Sequence, residues 1–399
     1  MTWKTELEAW YAAHHDEGVA LLAALVRENT VNPPGNEARA VRVVREYLGR
    51  YGIEAAVHEA APGRASLLAR VGSGSPVLFV PAHTDVVPAG DGWEHDAFDP
   101  VVRDGCLYGR GSADNKGPLV SLLLLAAFLK STARPFTGTL LVGAVADEEA
   151  GSAMGLTYLL EQGLVNADYA IVPDTGESVF RVSCGEKGLL HFDVTFHGTQ
   201  AHGSSPERGM NAIWAAHDFL GRVRKLFGRT HGYIRQGTHA LFTPTTVNIA
   251  KISAGAAYNM IPGQCVIGID VRYVPGQTRG GILELFERAA AETHAAGLCT
   301  RYDIRVDTHM EPFVVERESE LIRAVAAAVK AVTRRRITCF GLSGTTVCKQ
   351  LVSRGIPAIG FSQDSLGQAH MANEHLRLSE IPLFGAALGM AFLALGGNR

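Results

Sequence analysis

The chain has 399 residues, of which 47% are hydrophobic and 19% are charged, and its formal net charge at pH 7 is -3. This composition is typical of a soluble globular protein, and the near-neutral charge gives no indication of nucleic acid or an acidic membrane as a partner. The length exceeds one ordinary hydrophobic core, so we expect two domains or one large α/β domain that carries an insertion.

The N-terminus and the cysteines favour a cytoplasmic enzyme. The stretch MTWKTELEAWYAAHHDEG lacks the apolar core of a signal peptide. The most apolar run, Pro118 to Leu129, is shorter than the roughly 20 residues that cross a bilayer, so we expect a buried helix there. The six cysteines form no CxxC pair, which argues against a disulfide framework and a thiolate zinc site.

Helices and strands alternate in the first part of the chain. Helical spacing is predicted from about Glu6 to Glu28, and a second amphipathic helix is predicted to end at Gly52. Strands are predicted in ASLLARV, PVLFVPAH, GTLLVGAVADEE and DYAIVPD, and further helices in PLVSLLLLAAFLK and AMGLTYLLEQG. This alternation predicts an α/β fold with a mostly parallel central sheet that is covered on both faces.

The pattern changes after Cys184. GLLHFDVTFHG alternates as an antiparallel strand does, and a helix from about Met210 to Phe227, two strands, a second helix and a last strand follow. That order is the β-α-β-β-α-β arrangement of ferredoxin-like domains. We therefore predict a catalytic α/β domain, residues 1–185 and 309–399, interrupted by a smaller α+β ferredoxin-like domain at residues 186–308.

Imidazole and carboxylate side chains follow the predicted strands of the first domain, close to the point where each strand ends. Open α/β sheets bind ligands outside the carboxyl ends of their strands. Carboxylates gathered at such an edge without a cation repel one another and resist ionisation, so we expect a divalent metal there. The residues in question are His83, Asp85, Asp114, Glu148, Glu149, Asp174 and His370.

Each of these residues alone also has a structural explanation. His83 could be a hydrogen-bonded residue at a strand end, Asp114 and Asp174 could be turn residues, and the two glutamates could complement a helix dipole. Their joint occurrence at strand ends favours a metal site. Imidazole and carboxylate without thiolate suit zinc, cobalt or manganese. Two histidines and three carboxylates exceed what one catalytic zinc requires, and two ions about 3.5–4 Å apart would accommodate them all.

Five segments occur along the chain in the order HTDVVPAG, YGRGSADNKG, ADEEAGS, GTQAHGSSPERGMNAI and NMIPGQCVIGIDVR. Together they resemble the M20 metallopeptidases and amidohydrolases. That family includes acetylornithine deacetylase, succinyl-diaminopimelate desuccinylase, aminoacylase-1 and carboxypeptidase G2. The resemblance covers nearly the whole chain and implies that the inserted domain is a lid and dimerisation domain.

The resemblance also implies a set of metal ligands for two divalent ions, with zinc expected and cobalt or manganese as alternatives. Asp114 would bridge the two ions. Each ion would have two further ligands, which are His83 with Asp174 for one ion and Glu149 with His370 for the other.

Further roles are implied around this centre. Glu148 would be the general base, which takes a proton from the attacking water and delivers it to the leaving amine. Asp85 would orient the ring of His83. His202 would reach into the site of the partner subunit and stabilise the oxyanion, so that a homodimer through the lid domain is expected. Without the resemblance, an exposed loop residue would be the better explanation of His202.

Two lid residues and one departure concern the substrate. Arg272 and Asn259 match residues that hold the substrate carboxylate, although a strand arginine paired with a surface acid is the alternative for Arg272. Many relatives carry Gly-Gly-Thr-Asp where this chain reads LSGTTVCKQ. Gly344, a further candidate for substrate binding, and Thr345 keep part of that pattern, but Thr346 stands in place of the aspartate.

We therefore predict hydrolysis of an amide bond in a small carboxylate-bearing molecule, most simply an N-acyl-L-amino acid. A dipeptidase or carboxypeptidase acting on short peptides is the alternative, because different segments resemble different branches of the family. Two other classes stay open. A noncatalytic metal-dependent binding protein would have no need of Glu148 as a base. A serine or cysteine hydrolase is disfavoured because the sequence contains no G-x-S-x-G elbow.

Overall fold

The computed structural model describes residues 2–226, 233–234, 239–365 and 367–398. Its helices, in chain order, are α1 Trp3–Ala13, α2 His15–Arg27, α3 Ala38–Arg50, α4 Lys116–Ser131, α5 Leu156–Glu161, α6 Ala212–Leu226, α7 Arg279–Ala295, α8 Glu320–Thr333, α9 Cys348–Ser353 and α10 Glu380–Leu395. Short 3₁₀ turns are formed by Glu148–Ala150 and Pro206–Arg208.

The strands alternate with these helices along the chain. They are β1 Ala55–Ala61, β2 Arg64–Ser73, β3 Val77–His83, β4 Val101–Arg103, β5 Cys106–Tyr108, β6 Gly138–Val145, β7 Tyr169–Val172, β8 Arg181–Glu186, β9 Gly188–His197, β10 Tyr233–Ile234, β11 Thr245–Ala254, β12 Gln264–Tyr273, β13 Arg301–Met310, β14 Phe313–Val314, β15 Thr338–Leu342, β16 Ala358–Gly360 and β17 His375–Arg377.

The chain divides into two compact units. The larger unit comprises Met1–Cys184, Val315–Phe340 and Thr346–Arg399, and the smaller unit comprises Gly185–Val314 and Gly341–Thr345. The insertion predicted at residues 186–308 lies within the smaller unit. Residues 309–314 and 341–345, which the sequence assigns to the catalytic domain, also lie in the smaller unit. Segments this short leave no periodic signal of their own.

The larger unit is organised by a sheet in the order β1-β2-β6-β3-β7-β16-β8, with β15 also paired to β8. The pairs β6–β3, β3–β7 and β7–β16 are parallel. Antiparallel pairs lie towards the edges, including β1–β2, β2–β6 and β16–β8. The predicted α/β fold with parallel strands at the centre of its sheet is confirmed, whereas the sequence does not predict the edge strand β1 or the separate antiparallel sheet β17-β5-β4.

The core of the larger unit is centred on α4. Every residue of α4 from Lys116 to Leu129 is buried, as expected for a helix that is apolar all round. It packs against α10 and α2 and lies on strands β2, β3 and β6. The buried helix predicted for the most apolar run of the chain is therefore confirmed. Among the described residues, no helix combines the length and the apolarity that crossing a membrane requires.

The single helix predicted near the N-terminus is wrong in one respect, because it is interrupted at His14. His14 has φ -109° and ψ 20°, which ends α1 before α2 begins. Its ring stacks on Trp10 with 3.7 Å between centroids, and its Nδ1 donates a hydrogen bond to the Trp10 carbonyl oxygen at 2.8 Å. Helical periodicity continues across the break, so the pattern gave no sign of it.

The smaller unit is a sheet in the order β10-β11-β12-β9-β13, in which β9 pairs antiparallel with both β12 and β13. The four long strands, together with α6 and α7, follow the β-α-β-β-α-β order. The helices cover one face, where Phe192 and Phe286 meet edge to face at 5.0 Å between centroids. Helix α6 ends at Leu226, and the predicted end at Phe227 lies outside the described residues.

Replacing Phe286 with alanine is expected to destabilise the smaller unit by about 3–5 kcal/mol, since it leaves a cavity beside Phe192 in a fully buried site. The free energy of unfolding, measured by urea denaturation, checks this. Arg288→Ala is the control, because Arg288 lies on the same helix and is exposed. Equal losses for the two variants would contradict the assigned core.

Candidate metal centre

Parallel pairing brings the ends of three neighbouring strands to one edge of the sheet. His83 is the last residue of β3 and lies opposite Val145, the last residue of β6. Strand β7, on the other side of β3, ends at Val172. The segments that carry Glu148, Glu149 and Asp174 therefore all begin at the edge where His83 lies.

The carboxylate of Asp114 lies between two imidazoles. Its Oδ1 is 2.9 Å from Nε2 of His83, and its Oδ2 is 3.4 Å from Nε2 of His370. Nε2 of His370 is also 3.2 Å from Oε1 of Glu149. One oxygen of Asp114 thus faces each histidine, which is the arrangement that a carboxylate bridging two ions requires.

The remaining acids join the same cluster through His83. Ligand atoms of His83, Glu148 and Asp174 lie within 4.8 Å of one another, and so do those of His83, Asp114 and Glu149. Imidazole nitrogens and carboxylate oxygens at this spacing fit zinc, cobalt or manganese. The structure therefore brings together all the metal ligands that were predicted, and it also places Glu148 close enough to act as a ligand.

Asp85 has a different task from the predicted one. The His83 ring is oriented by the backbone of Asp85, whose carbonyl oxygen accepts from Nδ1 at 3.0 Å, while the nearer carboxylate oxygen is 3.7 Å away. The carboxylate instead accepts from the backbone N–H groups of Glu148 and Glu149 at 3.0 and 3.1 Å. Asp85 therefore organises the turn that carries the two glutamates, and Nε2 of His83 is left to face the cluster.

A buried ion-pair network supports that turn. Arg64 donates to Asp147 at 2.6 Å and to both oxygens of Glu37 at 2.8 Å. Asn32 donates to Asp85 and to Asp147 at 2.9 and 3.0 Å, which joins the network to the metal centre. Sequence reasoning missed this network. Asp147 stands in the quoted ADEEAGS segment, but Glu37 and Arg64 carry no local signal.

The pKa values of His83 and Asp114 reflect their contact. Burial lowers the pKa of the His83 imidazole, but the hydrogen bond to Asp114 and the nearby acids outweigh it, so the pKa is raised well above its usual value. Burial raises the pKa of the Asp114 carboxyl, but hydrogen bonds from His370 and His83 outweigh it and the pKa is lowered. A positively charged group beside Asp114 is therefore strongly favoured.

The pKa values of Glu148 and His370 are shifted in the directions that several neighbouring carboxylates produce. Burial, followed by the charge of Asp174, raises the pKa of Glu148 well above its usual value. Hydrogen bonds to Asp114 and Glu149 raise the pKa of His370 to about 10. Adding a cation would relieve the repulsion on Glu148 and restore its ionised form.

The remaining predicted site residues belong to the smaller unit. The backbone joins His202 to Met260 in an isolated β-bridge, and the Gly203 N–H donates to the Asn259 carbonyl oxygen at 2.8 Å, so His202 and Asn259 lie in adjoining loops. Nδ1 of the exposed His202 ring accepts from the Ser204 N–H at 3.2 Å. The neutral ring therefore carries its proton on Nε2.

Arg272 is paired with an acid on its own strand, as the structural alternative predicted. Its Nε donates to Asp270 at 2.8 Å, and its Nη1 donates to the Thr345 hydroxyl at 3.3 Å. Gly344 is the residue directly before Thr345, whose hydroxyl contacts the Arg272 guanidinium. Thr346, in the larger unit, is buried and its hydroxyl accepts from the Cys348 N–H at 3.2 Å. Helix α9 begins at Cys348 with Val347 as its N-cap, so Thr346 lies just before the helix.

Comparison with known proteins gives one family. A profile of the peptidase family M20/M25/M40 matches residues 79–392. A metallohydrolase of uncharacterised activity from Methanocaldococcus jannaschii is 29% identical over 92% of this chain and 96% of its own length. A succinyl-diaminopimelate desuccinylase from Xanthomonas oryzae pv. oryzae is 31% identical over 79% of this chain and 83% of its own.

A solved structure shares the fold. It is that of the YXEP protein of Bacillus subtilis, described as a dinuclear metal binding peptidase from the M20 family. The match has a TM-score of 0.73, covers 97% of this chain and 100% of the other, and has 16% sequence identity.

Asp114→Asn is expected to weaken the binding of divalent cations by more than about 100-fold, because even the hydrogen-bond partners of metal ligands are worth 10- to 100-fold. Metal content after dialysis and calorimetric titration with zinc check this. Asp104→Asn is the matched control, since Asp104 is exposed in a turn at φ 52°, a backbone conformation that asparagine accepts. Unchanged metal binding in Asp114→Asn would contradict the assigned centre.

Proposed function

The chain belongs to the peptidase family M20/M25/M40, and we propose that it hydrolyses an amide bond in a small carboxylate-bearing substrate, with N-acyl-L-amino acids as the substrate class. The observation that carries the proposal is the cluster of two imidazoles and four carboxylates, in which Glu148 lies beside the ligands. One relative is named a succinyl-diaminopimelate desuccinylase, and that name denotes the removal of a succinyl group, which is an acyl group. This chain covers 83% of that protein's length.

Two divalent ions, which we propose to be zinc, would be held by His83, Asp174, Asp114, Glu149 and His370. Bound ions supply Lewis acidity that polarises the substrate carbonyl and makes water more acidic. The donor set fits them, because both histidines present Nε2 towards the carboxylates. Asp114, with one oxygen towards each histidine, is the residue that would serve both ions.

Glu148 would move the protons. The Glu148 backbone is fixed by its hydrogen bond to Asp85, while the carboxylate lies near His83 and Asp174. In its ionised form the carboxylate accepts a proton from the water as that water attacks the carbonyl carbon. The carboxyl then gives the same proton to the nitrogen of the leaving amine as the C–N bond breaks, which returns Glu148 to its starting state.

The smaller unit would supply substrate recognition. The Arg272 guanidinium is held by Asp270, and its Nη1 and the Thr345 hydroxyl form a pair of donors suited to a substrate carboxylate. Gly344, the neighbour of Thr345, would line the same region, whereas Asn259 would act beside His202, whose loop it adjoins. Nε2–H of His202 would donate to the oxyanion that forms on the carbonyl oxygen, in the site of a partner subunit.

A homodimer through the smaller unit is part of this proposal. Trp214 and Ile213, on the outer face of α6, and Tyr258, beside Asn259, are exposed apolar side chains of that unit. Apolar side chains of this size on a surface are typical of an interface. The cytoplasmic location expected from the sequence stays a prediction.

A peptidase acting on short peptides is the second candidate. The YXEP protein, which shares the fold, is described as a peptidase. A panel of N-succinyl, N-acetyl and dipeptide substrates, each tested with zinc, cobalt and manganese, separates the two. Faster turnover of dipeptides than of acylated amino acids would favour the peptidase.

Glu148→Gln is expected to keep both ions and to lower kcat by about 10²- to 10⁴-fold, since the amide cannot accept the proton. Metal analysis and turnover of the best substrate in the panel check this. Glu161→Gln, at an exposed position at the end of α5, is the control. Near-normal turnover in Glu148→Gln would contradict its role as the base.

Mixing two inactive variants tests whether His202 acts in the site of the partner subunit. His202→Ala is expected to lower kcat by about 10²- to 10³-fold, because the oxyanion loses a donor. After subunit exchange with Glu148→Gln, half of the dimers contain one site with both residues intact, so activity should return to about a quarter of wild type. Failure to recover activity, although exchange is shown by mass spectrometry, would contradict the shared site.

A further inference from the structure

A second buried ion pair lies beside the metal centre and is distinct from the Arg64 network. Nη1 of Arg110 donates to Oε2 of Glu374 at 2.8 Å, and the two side chains are 1% and 0% exposed. Burying two charges away from water is costly unless further hydrogen bonds satisfy both groups. The partners of these groups therefore show what the pair holds in place.

The Glu374 carboxylate binds the backbone that carries Asp114. Oε1 accepts from the N–H groups of Ala113 and Asp114 at 2.9 and 3.1 Å. Oε2 accepts from the Gly111 N–H at 3.0 Å. Three N–H groups of one loop converge on a single charged acceptor, so the position of the Asp114 backbone is fixed by Glu374.

The Arg110 guanidinium binds the other two ligand-bearing segments. It donates to the carbonyl oxygens of Ala89 and Met371 at 3.0 and 3.1 Å. It also lies within 3.4 Å of the carbonyl oxygens of Pro88 and His370. Pro88 and Ala89 follow His83 in the chain, whereas Met371 comes directly after His370. Only a planar fork with several donors can span these groups, so lysine would not replace it.

We propose that Arg110 and Glu374 are positioning residues of the metal centre, which fix the separation of the segments carrying His83, Asp114 and His370 and thereby set the affinity for the ions. The proposal rests on the metal-dependent function given above. Neither residue touches the reacting groups. Their effect passes through the backbone of Asp114 and His370, the two residues that face each other across the centre.

The alternative is that the pair serves stability alone. A control must therefore lose stability without disturbing the ligands. Leu129→Ala supplies it, because Leu129 is buried near the end of α4 and lies 13 residues after Lys116, which follows Asp114 closely. At 1.5 Å per residue, Leu129 is about 20 Å along the helix from that end.

The experiment measures zinc affinity, by competition with a chromophoric chelator, and the unfolding temperature of each variant. Glu374→Gln places an NH₂ group against backbone donors and is expected to weaken zinc binding by about 10- to 100-fold. Leu129→Ala is expected to lower Tm with zinc affinity unchanged. Arg110→Lys, which keeps the charge but loses the fork, should weaken binding as well.

Wild-type zinc affinity in a folded Glu374→Gln would overturn the inference, and so would a loss of affinity in Leu129→Ala that matches its loss of Tm. If Glu374→Gln does not fold, Glu374→Asp and Arg110→Lys decide the matter by the same two measurements. Because no substrate is used, a wrong substrate class leaves the result intact. Failure of the wild-type protein to bind zinc would overturn the proposed function, and this inference with it.

Discussion

The constraint on which the larger unit depends is the repulsion among carboxylates at one edge of a buried sheet. These groups approach one another because the parallel strands β6, β3 and β7 end side by side. The two arginines buried near them are engaged with acids of their own, Glu37 and Asp147 for Arg64 and Glu374 for Arg110. Among the described residues, the imidazoles in direct contact with Asp114 are those of His83 and His370, which are also its expected neighbours around bound ions. Protons and divalent cations therefore compete for the same positions.

This arrangement of strand ends determines which residues of the site could be predicted from the sequence. His83, Glu149 and Asp174 were predictable because a parallel sheet brings its strand ends to one edge, so that the position of a residue along a strand determines its place in space. The role of Asp85 was not predictable in the same way. Whether the ring of His83 meets the carbonyl or the carboxylate of Asp85 depends on the turn that carries Glu148, and no residue type reports that choice.

Contacts between residues far apart in the chain could not be predicted from the sequence, for a different reason. Glu37 and Arg64 are 27 residues apart, and Arg110 and Glu374 are 264 apart. Neither pair shows a period or a spacing, because the two members of each pair lie on segments that meet only in the folded structure. The break at His14 escaped prediction for the opposite reason, because it depends on one local contact with Trp10 inside a pattern that stays helical.

The candidate metal ligands and the candidate substrate-binding residues belong to different units. The metal-ligand candidates and Glu148 all belong to the larger unit, whereas His202, Asn259, Arg272 and Gly344 belong to the smaller unit. A change in the smaller unit can alter the group recognised without moving a ligand. On the proposed function, the reaction type is therefore tied to the sheet edge of the larger unit, and the choice of substrate to residues of the smaller unit.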